Sequence, residues 1–154
     1  MFVIKTLLQG SALAVGVVLA APVFAAHAVP FNTTFTATGP TTMTQSGLHI
    51  PCNSSFVLVT DGSGDVTVTQ ATFSGGSPMC NVITASGLPW PVSLNSTTAA
   101  VIHNVTVRSP LGTCSGNVDA TINNSNSQIF LDGRFGTCAV TGYLSVTPQF
   151  KVVD

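Results

Sequence analysis

The stretch Leu111–Val146, LGTCSGNVDATINNSNSQIFLDGRFGTCAVTGYLSV, decides how this chain is read. It opens on Leu-Gly-Thr-Cys (Leu111 to Cys114) and returns to Phe-Gly-Thr-Cys (Phe135 to Cys138). An alternating run follows each cysteine. After the first, Val118, Ala120 and Ile122 share a face, with Asn117, Asp119 and Thr121 opposite. After the second, Val140, Leu144 and Val146 share a face, with Thr141, Tyr143 and Ser145 opposite. A period of two is the mark of a strand with one buried face, because successive side chains point to opposite sides. The stretch predicts strands held at corresponding positions by a Cys114–Cys138 disulfide. A closed loop of ~25 residues contributes about 3 kcal/mol on the chain-entropy account. No evident reacting group lies in it.

Outward from this stretch the pattern repeats. Phe31 to Thr38 alternates Phe31, Thr33, Phe35 and Ala37 with Asn32, Thr34, Thr36 and Thr38, and reads as an N-terminal strand broken by Gly39-Pro40. Phe56 to Thr60 and Asp65 to Phe73 flank the turn residues Asp61-Gly62-Ser63-Gly64, a hairpin signal. Ala99 to Ser109 is expected to place Val101, His103, Val105 and Val107 on one face. Gly87-Leu88-Pro89-Trp90-Pro91 reads as a stiff bend holding the only tryptophan. In the last run, Cys138 to Val153, Pro148 suggests a sheet edge. No amphipathic helix is expected after the first residues. Short strands separated by polar turns predict an all-β fold: a single antiparallel β-sandwich, Ig-like or pilin-like, or a flattened barrel, with two disulfides.

Residues 1–28 read as a secretory signal peptide, and residues 29–154 as the single domain. One cation, Lys5, precedes an apolar run from Leu7 to Ala21, and small residues follow. Ala26-His27-Ala28 and Val23-Phe24-Ala25 are the two candidate cleavage motifs. The run is short for a span that needs ~20 residues. Four cysteines in an exported chain imply two disulfides. Of three pairings, Cys52–Cys80 with Cys114–Cys138 is expected, since each loop then closes locally. Charged residues make up 6% of the chain, and glutamate is absent. The cations Arg108, Arg134 and Lys151 are scattered, so no nucleic-acid partner is expected. The polar surface has to come from Thr, Ser and Asn. Low charge leaves little repulsion between molecules, which favours self-association or adsorption to apolar matter.

Catalytic chemistry is hard to assemble from these residues. A Ser/His/Asp hydrolase needs a histidine near an activated serine. After residue 28 only His49 and His103 remain, and there is no Gly-x-Ser-x-Gly motif. His103, among valines, reads as structural. Asp61 and Asp65 in their glycine-rich loop read as turn residues first and as calcium ligands second. No catalytic, metal or cofactor residue is therefore expected, and no cofactor. Trp90 reads first as a packed corner and second as a surface aromatic able to hold sugar or lipid.

Several stretches resemble a secreted bacterial family named for PraB, the protein activator of alkane oxidation. They are Phe35-Thr36-Ala37-Thr38-Gly39-Pro40, Ile50-Pro51-Cys52, Ala71-Thr72-Phe73-Ser74-Gly75, Gly87-Leu88-Pro89-Trp90 and Gly112-Thr113-Cys114-Ser115-Gly116. The resemblance covers the whole chain after residue 28. It implies a small exported protein that promotes growth on long-chain alkanes without oxidising them, and it transfers no catalytic residue. The expected function is non-enzymatic, at the cell surface or outside the cell, aiding contact with or assimilation of apolar substrates. The alternative is a self-assembling subunit of a surface fibre or biofilm matrix, in which the strand bearing Phe31 and Phe35 adds to a neighbour's sheet. The expected partners are an apolar substrate, the cell surface or further copies of the chain, with no transmembrane segment once the signal peptide is removed.

Overall fold

The computed structural model describes Gly16 and residues 25–154. The predicted signal peptide falls outside these residues, apart from Gly16 and its last four positions. Eleven strands run in order: β1 (His27–Val29), β2 (Thr34–Gln45), β3 (Leu48–Thr60), β4 (Val66–Ser74), β5 (Thr84–Ser86), β6 (Trp90–Leu94), β7 (Ala99–Ser109), β8 (Gly112–Asn123), β9 (Gln128–Phe135), β10 (Cys138–Thr147) and β11 (Lys151–Val153). A five-residue 3₁₀ turn, Pro78–Val82, lies between β4 and β5. Among the described residues no helix is long and apolar enough to cross a membrane.

β2, β3, β4, β6, β7, β8, β9 and β10 form a continuous antiparallel sheet, and β10 pairs back onto β2. The sheet is therefore a closed eight-stranded barrel. This corrects the expected sandwich, which would leave sheet edges free; the flattened-barrel alternative was nearer. The closing seam explains the outcome. β2 and β10 pair from Thr36↔Thr147 to Gln45↔Cys138, with an interruption beside Gly39 and Pro40. A side chain on Gly39 would collide with the Tyr143 carbonyl, and one on Gly142 with the Pro40 carbonyl and Thr41. Two glycines thus let the strands meet closely enough to close, as glycine kinks do at barrel corners.

The same seam corrects two local expectations. Gly39-Pro40 does not end the first strand, because Pro40 sits where the ladder to β10 lapses and no N–H is required there. Pro148 marks no sheet edge. It follows the end of β10, which has β2 on one side and β9 on the other.

Alternation places the core inside the barrel. Phe35, Ala37 and Met43 of β2, Val118, Ala120 and Ile122 of β8, and Leu144 and Val146 of β10 are buried. On β7 the expected face does not hold. The pairing with β8 shifts between Ile102 and Val105, and Asn104 takes a left-handed φ of 58°. This bulge turns Val105 and Val107 inward beside Ala100, while Val101 and His103 stay less buried.

One end of the barrel carries both disulfides, Cys52–Cys80 and Cys114–Cys138, with Cα separations of 5.7 and 5.8 Å. The other end is covered by a two-stranded ribbon, β1 paired with β11. The Asn124 side chain holds the ribbon with two bonds to the Val152 backbone, each 2.9 Å. The Ala28 N–H donates to the Gly64 carbonyl at 2.9 Å.

Candidate functional site: the barrel interior

Because inward positions alternate along every strand, the side chains that could contact a ligand inside the barrel are set by the fold itself. They are nearly all hydrocarbon. A cavity of about 70 Å³ lies among Ala37, Met43, Leu58, Val105, Val118 and Leu144, with Thr41 supplying the only hydroxyl of its lining residues. A second, of about 40 Å³, continues toward the ribbon end among Val66, Val92, Leu94, Ala120, Ile122 and Phe150. Leu58, Val68, Ile102 and Ile129 line both spaces. The two are therefore neighbours with a common aliphatic wall. An eight-stranded barrel is just wide enough to be filled by its side chains or to hold one small ligand.

The polar groups inside satisfy one another. The Thr41 and Ser54 hydroxyls share a buried 2.6 Å hydrogen bond. Gln45 accepts from Ser109 at 2.7 Å near the disulfide end. At the ribbon end the Thr60 hydroxyl donates to the Pro30 carbonyl at 2.8 Å and receives the Thr33 N–H at 3.0 Å. Among the described residues no buried side-chain nitrogen or oxygen lacks a partner. The interior thus offers mainly apolar contact area, and each buried side-chain nitrogen or oxygen among the described residues already has at least one partner.

The outer face is of the opposite character. Thr34, Thr36, Thr38, Thr42 and Thr44 line the outside of β2, and Thr141, Ser145 and Thr147 lie beside them on β10. A transmembrane barrel has its apolar band outside and its polar residues inside. This barrel has the reverse arrangement. Among the described residues the exposed large apolar side chains are spread out: Leu48 at the start of β3 and Leu111 on a turn, both at the disulfide end, Phe31 near the ribbon, Val82 on the 3₁₀ turn and Tyr143 on the wall.

The residues singled out from sequence fall as follows. All four cysteines pair as expected. Trp90 is 2% exposed, and its indole N–H donates to the Ser86 carbonyl at 3.0 Å. It is a packed wall residue, so the surface-aromatic option does not hold. Phe35 is buried beside Phe150, while Phe31 is exposed beside His27. Their segment is not a free assembly strand. β2 is hydrogen-bonded to β3 on one edge and β10 on the other, which leaves no edge for a neighbour's sheet. Asp61 Oδ1 accepts the N–H groups of Ser63 and Asp65 at 2.8 and 3.0 Å, which caps its own turn.

His103 Nε2 lies 2.6 Å from Ser93 Oγ on the outer surface, and His49 Nδ1 lies 2.9 Å from Thr44 Oγ1. Neither histidine borders either of the two cavities. Sequence reasoning missed the cavity altogether, because its walls come from all eight barrel strands and no local motif marks it.

Among curated proteins and among solved structures, nothing matches this chain. A family model described as alkane oxidation protein activator PraA/PraB-like matches residues 1–154, the full sequence, and the chain therefore belongs to that family.

Proposed function

We propose that this chain is a non-enzymatic exported protein that works at the cell surface or outside the cell, promoting contact with and assimilation of apolar substrates such as long-chain alkanes. Membership of a family named for activating alkane oxidation carries the reading. Three features support it. The barrel is hydrocarbon inside and hydroxyl-bearing outside. Two disulfides suit an oxidising compartment. The Ser93–His103 pair lies outside both cavities, and PraA/PraB-like proteins are described as activators. Such a protein raises the supply of an insoluble substrate to an enzyme elsewhere, and bond breaking stays with that enzyme.

The test is growth. Cells lacking this protein should grow slowly on hexadecane and normally on succinate, and added purified protein should restore the hexadecane rate. Equal growth of both strains on hexadecane would refute the reading. Purified protein showing esterase or oxidase turnover would refute its non-enzymatic part.

A further inference from the structure

We infer that the barrel interior is a binding site for one unbranched alkyl chain, which enters sideways between β4 and β5. This rests on the proposed function and names where the apolar substrate is held.

The chemistry of the wall selects the class of ligand. Residues shared by the two cavities are Leu58, Val68, Ile102 and Ile129, all aliphatic. The nearest polar pair, Thr41–Ser54, is already hydrogen-bonded within itself, and of the two only Thr41 borders the cavity, so at most one hydroxyl is left to serve a polar head. A polar head buried there loses the hydrogen bonds it makes with water and regains few of them, which disfavours it. A saturated chain meets no such penalty. The form of the space selects the shape. Two small spaces, of about 70 and 40 Å³, lie end to end between the disulfides and the ribbon and share four aliphatic wall residues. Rotation of those side chains would join them into a narrow channel, which a linear chain would fit better than a compact cage of the same carbon number.

The entrance follows from the hydrogen bonding. β4 pairs with β6 only over Val66–Val68, and β5 pairs with β7 alone. The second half of β4, Thr69–Ser74, therefore has β3 on one edge and no ladder on the other. The ribbon end, by contrast, is latched by Asn124 and Thr60. At the unladdered stretch Phe56 and Phe73 stand edge to face, 6.0 Å apart and half-buried, and both line the larger cavity. The loop beyond them is tied down by Cys52–Cys80. Movement of Phe73 opens the wall there without breaking a single strand pair.

The experiment uses the exported protein, methyl-labelled and equilibrated with n-decane or with adamantane, which has the same number of carbons. With n-decane, the methyl signals of Leu58, Val68, Ile102 and Ile129 should shift and show cross-relaxation to the alkane. Adamantane should leave them unmoved. Phe73→Ala should speed exchange of n-decane, whereas Tyr143→Ala on the outer wall should not. Cross-relaxation confined to exposed residues such as Leu48, Val82 and Leu111 would overturn the interior site, while hexadecane growth promotion could still stand. Equal response to adamantane would overturn the linear-chain assignment. Strong interior binding with no growth defect in the deletion strain would uphold the site and sink the proposed function instead.

Discussion

Thr41 of β2 and Ser54 of β3 are diagonal neighbours, Thr41 standing opposite Cys52 and Ser54 opposite Gly39, and Thr41 is the one hydroxyl in an otherwise apolar cavity lining. Each satisfies the other, so removing one strands its partner. Thr41→Val should destabilise the protein by about 1–3 kcal/mol, and the double change with Ser54→Ala should recover most of that loss. A double-mutant cycle in urea reads this directly, and additive losses would contradict the pairing. Gly142 supplies a sharper case. An added methyl meets the Pro40 carbonyl at 2.6 Å, a backbone atom with little room to yield. Gly142→Ala should therefore lower the melting temperature more than Gly47→Ala, although Gly47 has the positive φ of 75° and open space around it. Differential scanning calorimetry separates the two. At this scale the sequence was only partly legible. His103 sits among valines at even spacing, yet the bulge at Asn104 puts it outside while Val105 and Val107 turn in. Asn is among the few residues that accept a left-handed φ, and that was the one available hint.

Strand elements were read well wherever alternation ran unbroken. β8 and β10 carry their apolar residues on the expected face, and their cysteines are joined as expected. Each disulfide closes a loop, of sequence separation 28 or 24. Removing either pair should cost about 2–4 kcal/mol, measurable as a lower urea midpoint for Cys114→Ala/Cys138→Ala, and reduction of the native protein should show the sum. β1 was not legible, because two of its three residues, His27 and Ala28, lie inside the predicted signal peptide. Ala28 is fully buried and bonded to Gly64, and Ala26 packs on the core. A cut after Ala28 would remove two of the three residues paired with β11. Of the two cleavage motifs, Val23-Phe24-Ala25 is the one that preserves the ribbon. The intact mass of the exported protein should place its first residue at Ala26, and a start at Val29 would show that the ribbon is dispensable.

For the molecule as a whole, closure of the sheet is what single-stretch reading cannot deliver. Short alternating strands with polar turns describe a sandwich and a barrel equally. The choice depends on whether the first long strand meets the last, here β2 and β10, about a hundred residues apart in sequence. Low charge and abundant threonine were legible, and they give the hydroxyl-bearing outer wall. The cavity was not, since it is a property of all eight strands together.

The pairing of β1 with β11, and of β2 with β10, also sets a timetable. Among the described strands the latest in sequence, Lys151–Val153, pairs with the earliest, His27–Val29. Until β10 (Cys138–Thr147) arrives, β2 lacks one neighbour and the apolar interior stands open on that side. Exported N-terminus first, as the proposed function requires, such a chain would have no closed vessel to form until its last barrel strand had also crossed.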